Sequence, residues 1–383
     1  MERPQDVSNE VPNARARLLA LACVVLATFA VFWPVLGNEL VYDDLAIVTR
    51  NPRIASFAHV PEQFSSATWD FLEPAERDRV GYWRPLTDFA LTCANVFGGG
   101  SVRAFHLASV LLHLAAVAAA FALAWRLTKH TLATAFAALL FGLHPIQVES
   151  VAWISAINGP LFGALSLASL ERFLAWRERG SRGVPWASAV LLALALLAKE
   201  LAIAIVPCAL VLDLFRARAD GPWRERLAPL ARAYVPLALA FLVYVGARMS
   251  VFGSGAGFTL TTTDFGVSAE RLALLRAELL GGFLALLAWP ARLNLFHPFV
   301  PNLGAFDAGM LGPWLAIGAL VLALVFARKR RLAVLATALL FVVAALSPVL
   351  VRVGSLGIFP LAERFAYLAT FGFALALAWA LVR

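Results

Sequence analysis

Long apolar stretches recur along this chain, and they constrain its fold more than any other feature. Of the 383 residues, 61% are hydrophobic and only 15% are charged. The predicted spans lie at 18–36, 106–125, 132–148, 160–175, 234–251, 312–327, 332–350 and 364–382. Each is near the ~20 residues that a membrane-spanning helix needs, and soluble domains are only roughly 45–50% apolar. The sequence therefore predicts an all-α, polytopic integral membrane protein.

Basic residues collect in the short loops between these stretches. Such clusters lie at 126–130, 172–182, 216–232 and 328–331, and the net charge is +8. Positive loops face the cytoplasm, so we interpret the charge as a topology signal and not as a nucleic-acid surface. The stretch 18–36 is then an uncleaved anchor, and the loop 38–105 lies outside. The predicted location is the cytoplasmic (inner) membrane, with the lipid bilayer as a partner.

The segment 186–215 is interrupted by a charged pair. Basic flanks on both sides predict an even number of crossings, yet Lys199 and Glu200 divide it into halves of about 13 and 15 residues. Each half reaches only ~20 Å, short of the ~30 Å hydrocarbon core. We predict a hairpin of two short helices whose turn is sunk below the outer surface. One long helix with a buried ion pair is the alternative.

The segment 272–289 is the second uncertain point of the topology. Arg276 and Glu278 shorten its apolar part, which favours a helix that dips into the membrane or lies at the interface. The total is then about ten or eleven crossings. The chain is predicted to form one domain over 1–383, and its first external loop, 38–105, is predicted to be partly helical.

Acidic and basic residues converge on the outer face in this topology. Charged groups near a bilayer are costly and often functional. A carboxylate there accepts a proton from an attacking hydroxyl, while cations hold an anionic leaving group such as phosphate. This chemistry needs no redox cofactor. The candidates are Asp43, Asp44, Arg84, His144, Glu149, Lys199, Glu200, Glu363 and Arg364.

Each candidate also has a structural interpretation. Asp43 and Asp44 fit a solvated loop or a helix N-cap before residue 45, and Arg84 fits an interfacial side chain that snorkels. The histidine at 144 fits a helix terminus, and Lys199 and Glu200 fit a pair that neutralises itself. The glutamate at 363 fits the start of the last helix, where the helix dipole favours it. His106 and His113 share a helix face and are interpreted as packed side chains, because no third metal ligand accompanies them.

Several motifs occur in a consistent order along nearly the whole chain. The most specific is HPIQVESVAW at 144–153. The others are YDD at 42–44, NP at 51–52, YWRPL at 82–86, FH at 105–106 with His113, AKE at 198–200, LD at 212–213 and AERFAY at 362–367. Together they resemble the membrane core of the transmembrane O-mannosyltransferases with tetratricopeptide repeats and their bacterial relatives, which are similar to the GT-C class of glycosyltransferases.

The resemblance implies an inverting transferase with the GT-C fold. Its donor would be a polyprenyl-phosphate sugar, and its acceptor a hydroxyl of a protein or glycan on the extracytoplasmic side. Asp43 or Asp44 maps onto the base, with Asp43 slightly favoured. Arg84, Lys199 and Arg364 map onto the carrier phosphate. Supporting or substrate-binding roles fall to Tyr82, His144, Glu149, Asn158, Glu200 and Glu363.

No cofactor is predicted. Paired carboxylates can bind hard cations, but members of this class that use monophosphate carriers generally need no metal. Three departures weaken the substrate assignment: Asn158 stands where the family has an acid, Gln147 stands where it has a second histidine, and tetratricopeptide repeats are absent from these residues. A transporter or flippase of lipid-linked sugars and a non-catalytic membrane scaffold remain as alternatives.

Overall fold

The computed structural model describes residues 14–73, 81–216, 223–253, 269–297, 311–326, 333–351 and 360–382. The described residues form helices and connecting turns, with no β-strand among them. The α-helices are α1 (Ala14–Phe32), α2 (Val60–Ser65), α3 (Pro85–Gly98), α4 (Val102–Thr128), α5 (Thr131–Leu143), α6 (Gln147–Ala152), α7 (Asn158–Glu178), α8 (Trp186–Ala198), α9 (Ile205–Arg216), α10 (Trp223–Phe252), α11 (Ala269–Ala288), α12 (Leu311–Phe326), α13 (Ala333–Val351) and α14 (Ala369–Val382).

Several helices meet the length and composition of a membrane span. Within the described ranges, four are long and apolar enough to cross: Ala14–Gly37, Val102–Thr128, Pro229–Phe252 and Val334–Val351. Three shorter apolar helices accompany them, at Thr131–Leu143, Trp186–Ala198 and Ala369–Leu381. The predicted all-α, polytopic membrane fold is confirmed. The total of about ten or eleven crossings stays a prediction.

The predicted external loop folds into short helical pieces. A π-helix at Leu45–Arg50, 3-10 turns at Pro52–Ile54 and Phe57–His59, and α2 precede the longer α3. A proline begins α3, where its fixed φ suits the first turn. Gly99, with φ of 59°, follows the last residue of α3 in the left-handed conformation. Helix α3 packs on α4 and α8, so the loop is joined to the helical bundle.

Two predicted helix boundaries are wrong. The predicted span 132–148 ends at Leu143, because Pro145 holds His144 in an extended conformation (φ −61°, ψ 128°). The motif HPIQVESVAW is therefore an extended turn followed by the short helix α6. The final helix begins at Ala369, and Glu363 lies before it in a separate 3-10 turn, Glu363–Phe365. The helix dipole of α14 thus does not explain Glu363.

The predicted interruption at Lys199 is confirmed. Helix α8 ends at Ala198, the 3-10 turn Glu200–Ala204 follows, and α9 begins at Ile205. One long helix over this segment is excluded. The two helices do not pack along each other as the arms of a hairpin would; α8 packs on α7 and α10, whereas α9 packs mainly on α13.

The segment predicted to dip into the membrane is one continuous helix, α11. Its buried side chains include Leu279 and Phe283, and it packs on α12 and α13. That α11 dips into the membrane or lies at the interface stays a prediction. The basic cluster at 328–331 and part of the cluster at 216–232 lie outside the described residues.

Close packing among α4, α5, α7 and the segment before α14 forms the centre of the bundle. A Cβ at Gly163 in α7 would lie 2.2 Å from Cε1 of Tyr367, so only glycine fits there. The Tyr367 hydroxyl lies 2.7 Å from His113 Nδ1, and His113 Nε2 lies 2.9 Å from the Gly142 carbonyl. The packed interpretation of His113 agrees with these contacts. These contacts hold the Tyr367 side chain in place, and Tyr367 follows Arg364 by three residues in the chain.

Candidate functional site

A cavity of about 120 Å³ lies where the external loop meets the turns at the ends of several helices. Six of the predicted site residues line it. They are Asp43, Tyr82, Arg84, Asn158, Lys199 and Arg364. The sequence positions are far apart, so the fold brings an acid and three cations to one space.

Arg84 is held at this cavity by Glu200. Its Nε lies 3.0 Å from Glu200 Oε2, and its NH2 lies 2.7 Å from Oε1, a two-point pair. Burial alone would lower the pKa of Arg84, but the Glu200 carboxylate raises it, so the guanidinium keeps its charge. The guanidinium also lies 4.4 Å from the centre of the Tyr82 ring. Glu200 is therefore the residue that positions Arg84.

Lys199 is buried without a hydrogen-bond partner. Its side chain is 1% exposed, and no acceptor lies within hydrogen-bond distance of Nζ. The nearest rings are those of Phe162 and Phe365, with centres 5.3 and 5.8 Å from Nζ. The interpretation that Lys199 and Glu200 only neutralise each other is wrong, because Glu200 pairs with Arg84. A buried ammonium without an acceptor is costly, and an anionic ligand would remove that cost.

Arg364 is held by Glu149 from α6. Its backbone N–H donates to Glu149 Oε2 at 2.7 Å, and its NH1 donates to Oε1. The guanidinium lies over the rings of Trp153 and Phe365, 5.5 and 5.1 Å from their centres. The motif VESVAW thus supplies both the carboxylate and the indole that position Arg364.

The two adjacent aspartates occupy different environments. Asp43 is half-buried and lines the cavity. Asp44 is fully buried, and its Oδ1 accepts hydrogen bonds from the backbone N–H of Ser155 at 2.7 Å and from the Ser155 hydroxyl. The N-cap interpretation is wrong for Asp44, whose side chain makes no capping bond to the following helix. Burial raises the pKa of Asp44, and the bonds from Ser155 partly oppose this.

Asn158 stands at the cavity wall, at the position where the resemblance implies an acid. It is the first residue of α7, it is 6% exposed, and its Nδ2 donates to the Ser155 carbonyl at 3.1 Å. The Ser155 turn is therefore held by Asp44 on one side and Asn158 on the other. The amide adds no negative charge beside the three cations.

Three other predicted residues do not line this cavity. His144 forms a structural contact, with Nε2 2.9 Å from the Leu287 carbonyl. Glu149 and Glu363 line a neighbouring open crevice of about 400 Å³. Glu363 accepts from the backbone of Asn294 at 2.7 Å and lies 2.8 Å from His297 Nε2. Burial raises its pKa, opposed in part by these bonds.

Ten further residues line the cavity that were not among the predicted site residues, and they include Trp69, Asp88, Trp153 and Ser155. Asp88 is the most informative, because it is a second carboxylate and is 2% exposed. Burial raises its pKa to about 7, although Arg53 and Arg84 oppose the shift. The sequence signal that could have identified Asp88 is its position four residues after Arg84, because residues one helical turn apart lie on the same face.

The cavity brings together groups of the kinds that bind an anion and accept a proton. Arg84, Lys199 and Arg364 are basic side chains suited to an anion, and Asp43 is a carboxylate suited to accept a proton from a hydroxyl. Among the described residues, no three His, Cys, Asp or Glu side chains converge as a metal site requires. The arrangement therefore suits transfer of a group from a phosphate to a hydroxyl.

Comparison with known proteins agrees with the resemblance expected from the motifs. The chain is 29% identical over 299 residues to protein O-mannosyl-transferase Tmtc2 of Drosophila melanogaster, which covers 76% of this chain. It is 30% identical over 197 residues to Drosophila protein O-mannosyl-transferase Tmtc1 and 26% identical over 211 residues to human protein O-mannosyl-transferase TMTC3. These matches cover 49% and 54% of this chain.

The match covers only part of each relative. It spans 30% of the length of Drosophila Tmtc2 and 22% of each of the other two. No family model matches the chain, and no solved structure matches it. The expected similarity to O-mannosyltransferases is confirmed at modest identity.

Proposed function

We propose that this protein is a membrane glycosyltransferase that moves mannose or another hexose from a polyprenyl-phosphate carrier to a hydroxyl acceptor. The observation that supports this most is the single cavity lined by Asp43, Arg84, Lys199 and Arg364. The relatives are named protein O-mannosyl-transferases, which supports group transfer at the general level. The acceptor is a protein Ser/Thr or a glycan or lipid hydroxyl.

In the proposed reaction, Asp43 is the general base. The acceptor oxygen attacks C1 of the sugar and gives its proton to the Asp43 carboxylate. The bond between C1 and the phosphate oxygen breaks, its electron pair goes to the phosphate, and the anomeric configuration inverts. Arg84, Lys199 and Arg364 stabilise the charge that develops on the departing polyprenyl phosphate.

The proposed reaction takes place on the extracytoplasmic face of the cell inner membrane. The positive-inside rule puts the Asp43 loop outside, where lipid-linked donors and water-borne acceptors meet. Glu200 and Glu149 act by positioning Arg84 and Arg364. Asp44 acts by positioning the Ser155 turn. No metal or other cofactor is included in the proposal.

The test is a transfer assay with the purified full chain in lipid nanodiscs. A panel of radiolabelled polyprenyl-phosphate sugars is offered with a Ser/Thr-rich peptide, with a glycan, or with water alone as acceptor. We expect release of polyprenyl phosphate with at least one sugar, and a product of inverted configuration by NMR. If the folded protein transfers no sugar from any donor, the proposal is wrong. Binding without transfer would favour the scaffold, and donor movement across proteoliposomes without transfer would favour the flippase.

Asp43→Asn and Asp44→Asn separate the roles of the two aspartates. We expect Asp43→Asn to lower kcat by about 10²-fold or more, because the base is lost, while the unfolding temperature stays near that of the wild type. Asp44→Asn should lower the free energy of unfolding by about 2 kcal/mol, because its hydrogen bonds from Ser155 lose a charged acceptor. The control is Glu62→Gln, an exposed carboxylate in the same loop. Full activity in Asp43→Asn would refute its role as the base.

A further inference from the structure

The cavity contains a second carboxylate, Asp88, that the proposed mechanism does not use. Asp88 lies in the first turn of α3 and is 2% exposed. Its Oδ2 has no hydrogen-bond donor. The nearest cation is Arg53, whose NH2 lies 3.8 Å from Oδ2. Asp88 is thus a buried acid that lines the cavity without a direct hydrogen bond to Oδ2.

The two terminal nitrogens of Arg53 are already occupied by the loop, whereas its Nε has no acceptor. Its NH1 donates to the Ser66 hydroxyl at 2.6 Å and to the Ala67 carbonyl at 3.1 Å, and its NH2 donates to the Thr68 carbonyl at 2.5 Å. These bonds fix the loop without help from Asp88. The ion pair with Asp88 is long in comparison, so Arg53 balances the charge of Asp88 but does not satisfy its oxygen.

The long ion pair with Arg53 accounts for the charge of the Asp88 side chain, but it leaves Oδ2 without a hydrogen bond. The contribution of Asp88 to α3 comes from its backbone: its N–H donates to the Arg84 carbonyl at 3.1 Å, and its carbonyl accepts from the Thr92 hydroxyl at 3.0 Å. Any residue could donate and accept in this way through its backbone. Buried polar groups are nearly always hydrogen-bonded, and exceptions call for an explanation such as a ligand.

Lys199, which lines the same cavity, lacks a hydrogen-bond acceptor at Nζ, whereas Asp88 lacks a donor at Oδ2. A free phosphate would accept from Lys199, but it would bring its full negative charge next to the Asp88 carboxylate even where a P–OH group donates to Oδ2. A glycosyl phosphate satisfies both residues, because its phosphate oxygens accept from Lys199 and its sugar hydroxyls donate to Asp88.

We propose that Asp88 recognises a hydroxyl of the donor sugar and is a specificity-determining residue of this transferase. This inference rests on the proposed function. The cavity volume of about 120 Å³ is well below the ~300–1,000 Å³ typical of sites for drug-sized ligands, which suits one sugar ring. Trp69 and Trp153 line the same cavity and add apolar surface for the C–H groups of the ring.

The test compares wild type with Asp88→Asn on polyprenyl-phosphate mannose and on its four monodeoxy forms, which lack the hydroxyl at C2, C3, C4 or C6. For each donor, the kcat/KM of the wild type is divided by that of Asp88→Asn. The intrinsic reactivity of the donor affects both values equally and so drops out of this ratio. In assays at pH 8, above the pKa of about 7 of Asp88, we expect Asp88→Asn to lose about 10–100-fold on mannose, the range for a hydrogen bond to a charged group. On the deoxy donor that lacks the recognised hydroxyl, the kcat/KM of the wild type should fall by a similar factor. On that donor, the kcat/KM values of wild type and Asp88→Asn should differ by less than about threefold.

Glu62→Gln is the matched carboxylate-to-amide control. It lies in the same loop with its side chain 53% exposed, and it should leave all five ratios unchanged. Asp88→Glu keeps the charge but moves it by one methylene; it serves if the amide variant does not fold, and it should change which deoxy donor is tolerated. Folding is checked by thermal unfolding and size exclusion.

The outcomes separate the two proposals. If the wild type transfers no sugar, the proposed function fails. If the wild type transfers mannose and Asp88→Asn loses the same factor on every donor, the inference about Asp88 fails while the proposed function stands. If neither variant at position 88 folds, Asp88 belongs to the folding of α3 and the inference is overturned.

Discussion

Asp43 and Asp44 are adjacent in the chain, but their environments assign them different tasks. Asp43 lines the cavity, whereas Asp44 accepts hydrogen bonds from Ser155, 111 residues away. A carboxylate that holds a turn through its own hydrogen bonds is less suited to accept a substrate proton. The proposed base is accordingly Asp43, and Asp44 is a positioning residue for the turn that leads to Asn158.

The unusual titration of Asp88 predicts how stability depends on pH. Burial raises its pKa from 3.8 to about 7 in the folded protein, so the folded state holds this proton more tightly than the unfolded state. The resulting stability is fully present below pH 3.8 and is lost as pH rises to about 7. Relative to Asp88→Asn, the wild type should lose on the order of 4 kcal/mol across this window. The measurement is thermal unfolding in detergent from pH 4 to 8, and parallel curves for the two proteins would contradict it.

The charged residues of the site were predictable in part. Asp43, Arg84, Lys199 and Arg364 stand out because charge is rare in this chain and because they fall within motifs. Asp88 was not predictable as a cavity residue, because one more acid in a loop rich in acids looks solvated. Its burial depends on how α3 packs against Arg53 and the residues after it, which no local pattern encodes.

At the scale of elements, the break between α8 and α9 pairs Glu200 with Arg84 and leaves Lys199 at the cavity without a hydrogen-bond partner. The Thr87 hydroxyl donates to the carbonyl of Ala198, the last residue of α8, at 2.9 Å, and Glu200 holds Arg84 just beyond it. The break therefore joins the external loop to the bundle. The sequence predicted the interruption from the charges, but the neighbours of each helix depend on tertiary packing.

We expect the pair of Arg84 and Glu200 to stabilise this junction. Both side chains are mostly buried, at 16% and 13% exposed. Glu200→Gln should lower the free energy of unfolding by about 3 kcal/mol, because it leaves the Arg84 charge uncompensated. The double variant Arg84→Met/Glu200→Leu should regain much of that stability and still fail to transfer sugar. Thermal unfolding and the transfer assay measure both effects; a double variant no more stable than Glu200→Gln would contradict the assignment.

At the scale of the whole molecule, the class of fold was predictable and the arrangement was not. Hydropathy alone predicts an all-α membrane protein, because only apolar helices of sufficient length fit the composition. The ends of the helices depend on local chemistry such as Pro145. The packing of α14 on α5 and α13 depends on shape: a Cβ at Gly372 in α14 would lie 2.8 Å from the Ala338 carbonyl oxygen of α13.

The positive-inside assignment predicts that the two ends of the bundle differ in access. In a Cys23→Ser, Cys93→Ser background, we expect Glu62→Cys to react with an impermeant maleimide in intact spheroplasts. Arg179→Cys, exposed after α7, should react only after the membrane is permeabilised. Cys208 is kept because it is buried, and the labelling of the protein that carries only this cysteine measures the background. Labelling in the reverse pattern would overturn the topology and the proposed side of reaction.

The contacts that hold Arg84 and Arg364 also imply an order of events during synthesis. Arg84 and Glu200 are 116 residues apart, whereas Glu149 and Arg364 are 215 apart. A chain that emerges from its amino end can form the first pair while the second still lacks its arginine. Contacts between distant residues are also slow to form, because they close long loops. A nascent chain therefore holds only part of the cavity until the segment that carries Arg364 has been synthesised, and the proposed transferase activity would be acquired only after that point.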